Sequence, residues 1–308
     1  MGKLVVSTSP HIRSNTTTTS IMRDVLIALA PATVAAVVLF GLRALLLIAV
    51  SVASAVGAEY LFNLITKKQQ TVGDLSAAVT GLILALNIST KATVWQMIVG
   101  AVFAIIVVKC LFGGIGCNFA NPAATARVFL ILSFGEIAGG VKTQFSDLVA
   151  GATPLGNLAE GVTPPSLLDM FLGNRGGAMG ETCAIALLIG FAYLVIRGVI
   201  AWQVPTVFVG TVFVLSWLIT GDITMALYYV LSGGLLLGAI FMATDYVTTP
   251  IRTSGRMIFA LGCGLLTVLI RFFGSYPEGV SFAILIMNIL SPYIEKLTEK
   301  VPFGGKKK

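Results

Sequence analysis

The sequence predicts an all-α polytopic membrane protein with about ten transmembrane helices, arranged as two inverted five-helix repeats. Three observations carry this. Hydrophobic residues make up 56% of the chain and charged residues only 11%, with a mean hydropathy of +0.96. Long, largely apolar runs recur along the chain, of the length that lipid crossing demands. One long polar interval, roughly residues 135–179, divides those runs into five and five. Backbone groups in lipid must be satisfied internally, and no alternating strand pattern appears, so helices are expected rather than a barrel.

Residues 1–20 read as a polar cytoplasmic tail with four consecutive threonines, in which His11 and Arg13 are solvated. No cleavable signal pattern is seen, so the first span is expected to remain. Spans are expected at 21–41, 44–66, 73–88, 92–112 and 121–134, making residues 21–134 the first repeat. Arg43 marks the turn between the first two, and Lys67-Lys68 close the second. The third is too short to reach across about 30 Å of hydrocarbon as a straight helix, so it is partial, tilted or broken. Asn121 is placed to cap the fifth, with Pro122 in its first turn. Further spans are expected at 180–199, 203–220, 224–243, 255–273 and 279–297, making 180–297 the second repeat. Gly73-Asp74-Leu75-Ser76 and Gly221-Asp222-Ile223-Thr224 open the third span of each half. This echo suggests a duplication, and an odd number of spans per half makes the halves inverted. Residues 298–308 form a basic cytoplasmic tail, whose Lys306-Lys307-Lys308 suits topology anchoring or anionic lipid.

The net charge of +7 does not point to nucleic acid, because basic residues gather at helix ends and termini. With the N-terminus inside, Lys3, Arg13, Arg23, Lys67, Lys68, Lys109, Arg197, Arg252, Arg256, Lys296, Lys300 and the lysine tail fall inside. Only Arg43, Lys91, Lys142, Arg175 and Arg271 fall outside, as the positive-inside rule requires. The 135–179 loop is then extracytoplasmic. Cys110, Cys117, Cys183 and Cys263 show no CxxC spacing and read as small buried hydrophobes, although Cys110 and Cys117 could share one end of the protein. A single histidine cannot supply bis-His haem ligation, so an electron carrier held by this chain should be organic. Arg127, inside the fifth span, is a functional candidate, or else a packing or snorkelling charge. A phosphate, a ring carbonyl or a carboxylate would suit its planar donors.

Within the polar interval, Gly151 and Ala152 leave the backbone beside Thr153 uncrowded and Pro154 fixes the chain after it. Asp147 could return beside the hydroxyl. Alone, Gly-Ala-Thr-Pro is an ordinary turn. However, Asp147-Leu148-Val149-Ala150-Gly151-Ala152-Thr153 resembles the flavinylation signature of the membrane-subunit family of Rnf complexes and Na+-translocating NADH:quinone reductases. Ala150 departs from the pattern, which has Ser or Thr there. Gly113-Gly114-Ile115-Gly116-Cys117-Asn118-Phe119-Ala120-Asn121-Pro122-Ala123 resembles the family's Asn-Pro-Ala region. Phe241-Met242-Ala243-Thr244-Asp245-Tyr246-Val247-Thr248-Thr249-Pro250, with Gly255-Arg256, resembles its Ala-Thr-Asp segment. The resemblance covers nearly the whole chain and is strongest to the D-type subunits of Rnf complexes.

The resemblance implies FMN joined through its phosphate to Thr153, with Asp147, Gly151 and Ala152 completing the motif. It implies installation from FAD by a separate Mg2+-dependent flavin transferase, and a second, non-covalent flavin such as riboflavin. Arg127 and Asn121 are carried as further cofactor contacts. Asp245, beside Thr244, Thr248 and Thr249, offers hard oxygens for Na+, a polar anchor for the second flavin, or a plain helix end. The family is similar in fold to urea transporters. Its complexes pass electrons from reduced ferredoxin to NAD+ while exporting Na+ or H+ across a bacterial or archaeal plasma membrane. The implied partners are the A, B, C, E and G components of the Rnf complex and membrane lipid. No nicotinamide fingerprint or ferredoxin-like cysteine run occurs here, so those tasks fall to other subunits. The alternatives are the corresponding subunit of the quinone reductase, and a urea-transporter-like solute channel with no redox role.

Overall fold

A computed structural model describes residues 16–135, 165–274 and 279–299. The described residues form helices and connectors, with no β-strand among them. Helix α1 (Thr18–Phe40) starts at a reciprocal cap. The Ser20 amide donates to Thr17 Oγ1 at 3.2 Å, and the Thr17 amide donates to Ser20 Oγ at 3.1 Å. Helix α2 (Leu42–Ile65) follows after Gly41 alone, whose φ of 75° turns the chain in one residue. After a short 3-10 turn at Val72–Asp74 comes α3 (Ser76–Leu86), and then α4 (Val94–Cys110), which is π-helical from Phe103. Helix α5 (Pro122–Ser133) begins at the expected Asn121 cap with Pro122 in its first turn.

A short α6 (Leu167–Leu172), capped by Ser166, lies within the interval expected to be loop. The second half contains α7 (Ala184–Ile196), α8 (Gln203–Thr220), α9 (Ile223–Leu231), α10 (Leu235–Met242), α11 (Thr253–Phe273) and α12 (Val280–Leu297). The expected eighth span, 224–243, is two helices. Leu235–Met242 is bent 62° from Ile223–Leu231. Ser232-Gly233-Gly234 makes the break, with φ of 66° and 67° at the two glycines.

By length and composition, α1, α2, α8, α11 and α12 can cross a membrane, and the bent pair α9–α10 is a sixth candidate. The other apolar segments expected to cross, now α3, α4, α5 and α7, are shorter helices. At 1.5 Å per residue, α3 rises only about 16 Å. Its C-terminal carbonyls are met from another part of the chain. The Gly180 amide donates to Leu86 O at 2.7 Å and the Met179 amide to Ile88 O at 3.1 Å. The two echoing sequences also share an aspartate that accepts from the amide two residues on. Asp74 Oδ1 accepts from the Ser76 amide, and Asp222 Oδ1 from the Thr224 amide, both at 2.8 Å.

Close approaches depend on small residues, as in other bundles that pack in lipid. Helix α1 packs along α7, α2 along α3 and α4, and α8 along α11. A Cβ on Gly190 of α7 would stand 2.3 Å from the Ala28 carbonyl oxygen of α1, whereas one on Gly210 of α8 would meet nothing within 4 Å. Gly190→Ala is therefore expected to cost about 1–3 kcal/mol, because the backbone must move to relieve the overlap. Gly210→Ala should be near neutral. Unfolding of both variants in detergent checks this.

Candidate functional site

The connectors after α4 and after α10 meet at one end of the bundle, beside the starts of α1, α3 and α5. Between them lies a cavity of 430 Å³. Its walls are largely apolar, with Ile21, Val25, Val79, Ile83 and Phe241, while Lys109, Asn118, Asn121 and Asp245 supply polar points. Glycines with positive φ at 113, 114 and 116 let the chain leave the π-helical turn and fold back over the opening.

Asn121 joins the two connectors. Its Oδ1 accepts from the amides of Ala123 and Ala124 at 3.0 and 3.1 Å, capping α5, and its Nδ2 donates to Met242 O at 3.2 Å. Asp245 accepts from Thr248 Oγ1 at 3.1 Å, and Asn118 is also a hydrogen-bond partner of its carboxylate. Burial still pushes the Asp245 carboxyl above its ordinary value of 3.8. Thr244 and Thr249 turn their hydroxyls to the carbonyls of Ile240 and Ala243. No cluster of three His, Cys, Asp or Glu side chains that could hold a metal ion occurs among the described residues.

A charged pair that sequence reasoning passes over stands at one wall, where Lys109 lines the cavity. The sequence places Lys109 among the basic residues at the inner aqueous end. Instead it is 3% exposed, its Nζ 2.8 Å from Glu59 Oε1 of α2 and 2.6 Å from Ser76 Oγ. Glu59 is 1% exposed and also accepts from Thr71 Oγ1 at 2.6 Å. The missed signal is a single glutamate and a single lysine, each isolated in an apolar run. Inside a membrane such residues mark function or pairing.

Arg127 does not line the cavity. It is buried in α5, and its guanidinium donates to Asn87 Oδ1 at 2.9 Å and Ser281 Oγ at 3.2 Å. Asn87, at the end of α3, also contacts Met242 Sδ at 2.9 Å. Arg175, expected on the outer surface, is fully buried and donates to the carbonyls of Glu181 and Leu231. It thereby meets the open carbonyl end of α9. Cys110 and Cys263 are buried as expected, Cys183 is half-buried, and Cys117 is exposed on the glycine connector. Asp147, Gly151, Ala152 and Thr153 lie outside the described residues.

Residues 5–304 match the family described as NQR2, RnfD, RnfE. The chain belongs to this family. It is 46% identical over 306 residues to the D subunit of the Na+-translocating ferredoxin:NAD+ oxidoreductase complex of Acetobacterium woodii, covering 98% of this chain and 95% of that one. It is 39% identical to the D subunit of the proton-translocating ferredoxin:NAD+ oxidoreductase complex of Clostridium ljungdahlii, over 98% and 96% of the two chains. It is 33% identical to the D subunit of the ion-translocating oxidoreductase complex of Methanosarcina acetivorans, over 99% of each. Family membership and the apolar helices together make this a multi-pass membrane protein.

Two outcomes follow from the buried charges. Lys109→Met leaves the Glu59 charge without its counterion and should cost about 3–5 kcal/mol, while Glu59→Gln combined with Lys109→Met should recover most of it. Denaturant unfolding of the single and double variants measures the difference. For Asp245 the folded value is raised, so its contribution to stability is full below 3.8 and is lost as pH rises through the raised value. The unfolding temperature of Asp245→Asn should therefore gain on that of the unaltered protein between acid and neutral pH.

Proposed function

We propose that this chain is the D-type subunit of a redox-driven ion pump that couples ferredoxin oxidation and NAD+ reduction to Na+ or H+ export. The observation that supports it most directly is the cavity. Two segments more than a hundred residues apart, each resembling the family's motifs, close around one space of 430 Å³. That volume lies in the range of small-molecule and cofactor sites, and apolar walls with a few polar points suit a flat heteroaromatic ring. In this reading Asn118, Lys109 and Asp245 hold the edges of a non-covalent flavin, and Ile21, Val25 and Phe241 hold its faces. A bound flavin supplies one- and two-electron chemistry, and the chain supplies its position, its hydrogen bonds and its exclusion from water.

The second flavin of this proposal is FMN esterified to Thr153, installed by a flavin transferase. The same reading takes the ten apolar segments as two inverted repeats, with both termini cytoplasmic and the Thr153 loop outside. The matching aspartate-to-amide hydrogen bonds just before α3 and at the start of α9 support the repeat. Relatives named for Na+ and for protons are both similar to this chain, so the exported ion is left as either. The A, B, C, E and G components complete the proposed complex.

Intact-mass and peptide analysis of the protein produced with its flavin transferase tests the reading. An FMN phosphoester is expected on the Thr153 peptide and is expected to be absent from Thr153→Ala. Unmodified Thr153, under conditions that modify a known acceptor, would overturn the covalent carrier.

A further inference from the structure

Hydrogen bonds run from the end of the bundle to the cavity wall without a gap. Thr71 is solvent-exposed, and its hydroxyl donates to Glu59 Oε1 at 2.6 Å. Asn63 Nδ2 donates to that hydroxyl at 3.0 Å, which leaves the hydroxyl proton for Glu59. Lys109 Nζ meets the same carboxylate oxygen at 2.8 Å and Ser76 Oγ at 2.6 Å, and Ser76 in turn donates to Asp74 Oδ1 at 2.5 Å. Lys109 and Ser76 both line the cavity. These contacts to Glu59 and Ser76 use two of the three ammonium protons, leaving one. Glu59 Oε2 is buried and receives no hydrogen bond among the described residues. A proton can be seated there without breaking an existing contact. A pair that served only to join α2 to α4 would be expected to have both carboxylate oxygens met.

We propose that Glu59 and Lys109 pass protons between the aqueous end at Thr71 and a reducible ligand in the cavity. This rests on the reading of the cavity as a flavin site in a ferredoxin-linked complex. The electrons reach the ligand from carriers fed by the ferredoxin-type donor. Lys109 loses one N–H proton to the ligand nitrogen or oxygen that becomes basic on reduction. The Glu59 carboxylate, now facing a neutral amine, takes a proton from water through the Thr71 hydroxyl. It passes that proton to the Lys109 amine, which restores the ion pair. One proton leaves the aqueous phase and one ligand–hydrogen bond forms, and oxidation of the ligand reverses the path. The groups facing the pair fit this order. Asp74 acts on Lys109 through Ser76 from the 3-10 turn, while Cys110 adjoins the pair on α4 and Lys68 lies beyond the end of α2.

The test uses the purified complex carrying the unaltered chain, Glu59→Gln, or Glu59→Gln with Lys109→Met, each first assayed for non-covalent flavin released on denaturation. Time-resolved infrared spectra of the unaltered complex should show a transient carboxyl C=O band while the bound flavin is being reduced, and Glu59→Gln should lack it. With flavin content unchanged, reduction in Glu59→Gln should be about a hundredfold slower and should lose its pH dependence, the scale of a lost general acid. The double variant, which keeps the packing and removes both charges, should be as slow. A full flavin complement in both variants, reduced at the unaltered rate with the unaltered pH profile, overturns the proton path while leaving the flavin site standing. An unaltered complex that releases no non-covalent flavin overturns the site reading and the path with it.

Discussion

The main constraint on this structure is that a helix too short to cross lipid must have its ends met inside the protein. Four apolar segments are shorter than the spanning helices, and a fifth is broken in two. A free helix end leaves several backbone groups without partners, and each costs several kcal/mol in hydrocarbon. The polar residues of the interior are arranged around those ends. Asn87 and Arg127 sit where α3 stops, Arg175 reaches the last carbonyl of α9, and Asn121 spans from the start of α5 to the end of α10. The cavity is a consequence of the same arrangement. Where several short segments stop at one level, their connectors leave a space that no continuous helix fills.

Within that frame, buried charge separates into two kinds. Arg127 and Arg175 contact groups at helix ends and connectors, so they are accounted for as scaffold. Glu59 of α2 and Lys109 in the last turn of α4 pair with each other instead, and among the described residues one Glu59 oxygen has no hydrogen-bond partner. A buried ion pair contributes little net stability when compared with apolar packing. Such a pair, with its lysine on a cavity wall, is better explained by what happens in the cavity than by the need to hold two helices together.

Much of the architecture was legible in the sequence, because lipid requires apolar runs and those runs have countable ends. Asn121 caps α5 with Pro122 in its first turn, as the residues themselves indicate. The break at Ser232-Gly233-Gly234 is written there too, but hydropathy averages over it, and the segment reads as one span. Lys109 is misplaced for a related reason. A charge near the end of an apolar run looks the same whether it reaches water or turns inward, and only the glutamate on a neighbouring helix decides. The cavity was half legible. The motif residues Asn118, Asn121 and Asp245 stand out in the sequence, but nothing in a linear reading places residues 118 and 245 against each other. Arg127 reads correctly as a charge within an apolar segment, yet its partners Asn87 and Ser281 come from distant helices that periodicity cannot pair.

The short helix α3 also bears on how the chain is made. Its last carbonyl, and that of Ile88 just beyond it, are met by the amides of Gly180 and Met179, residues translated long after α3 has left the ribosome. Until then the first five segments hold a half-length helix with an unsatisfied end. The first half therefore cannot finish folding in the bilayer alone. It must wait, partly assembled and open at the level of Asn87, for the connector that precedes the second half to arrive and close it.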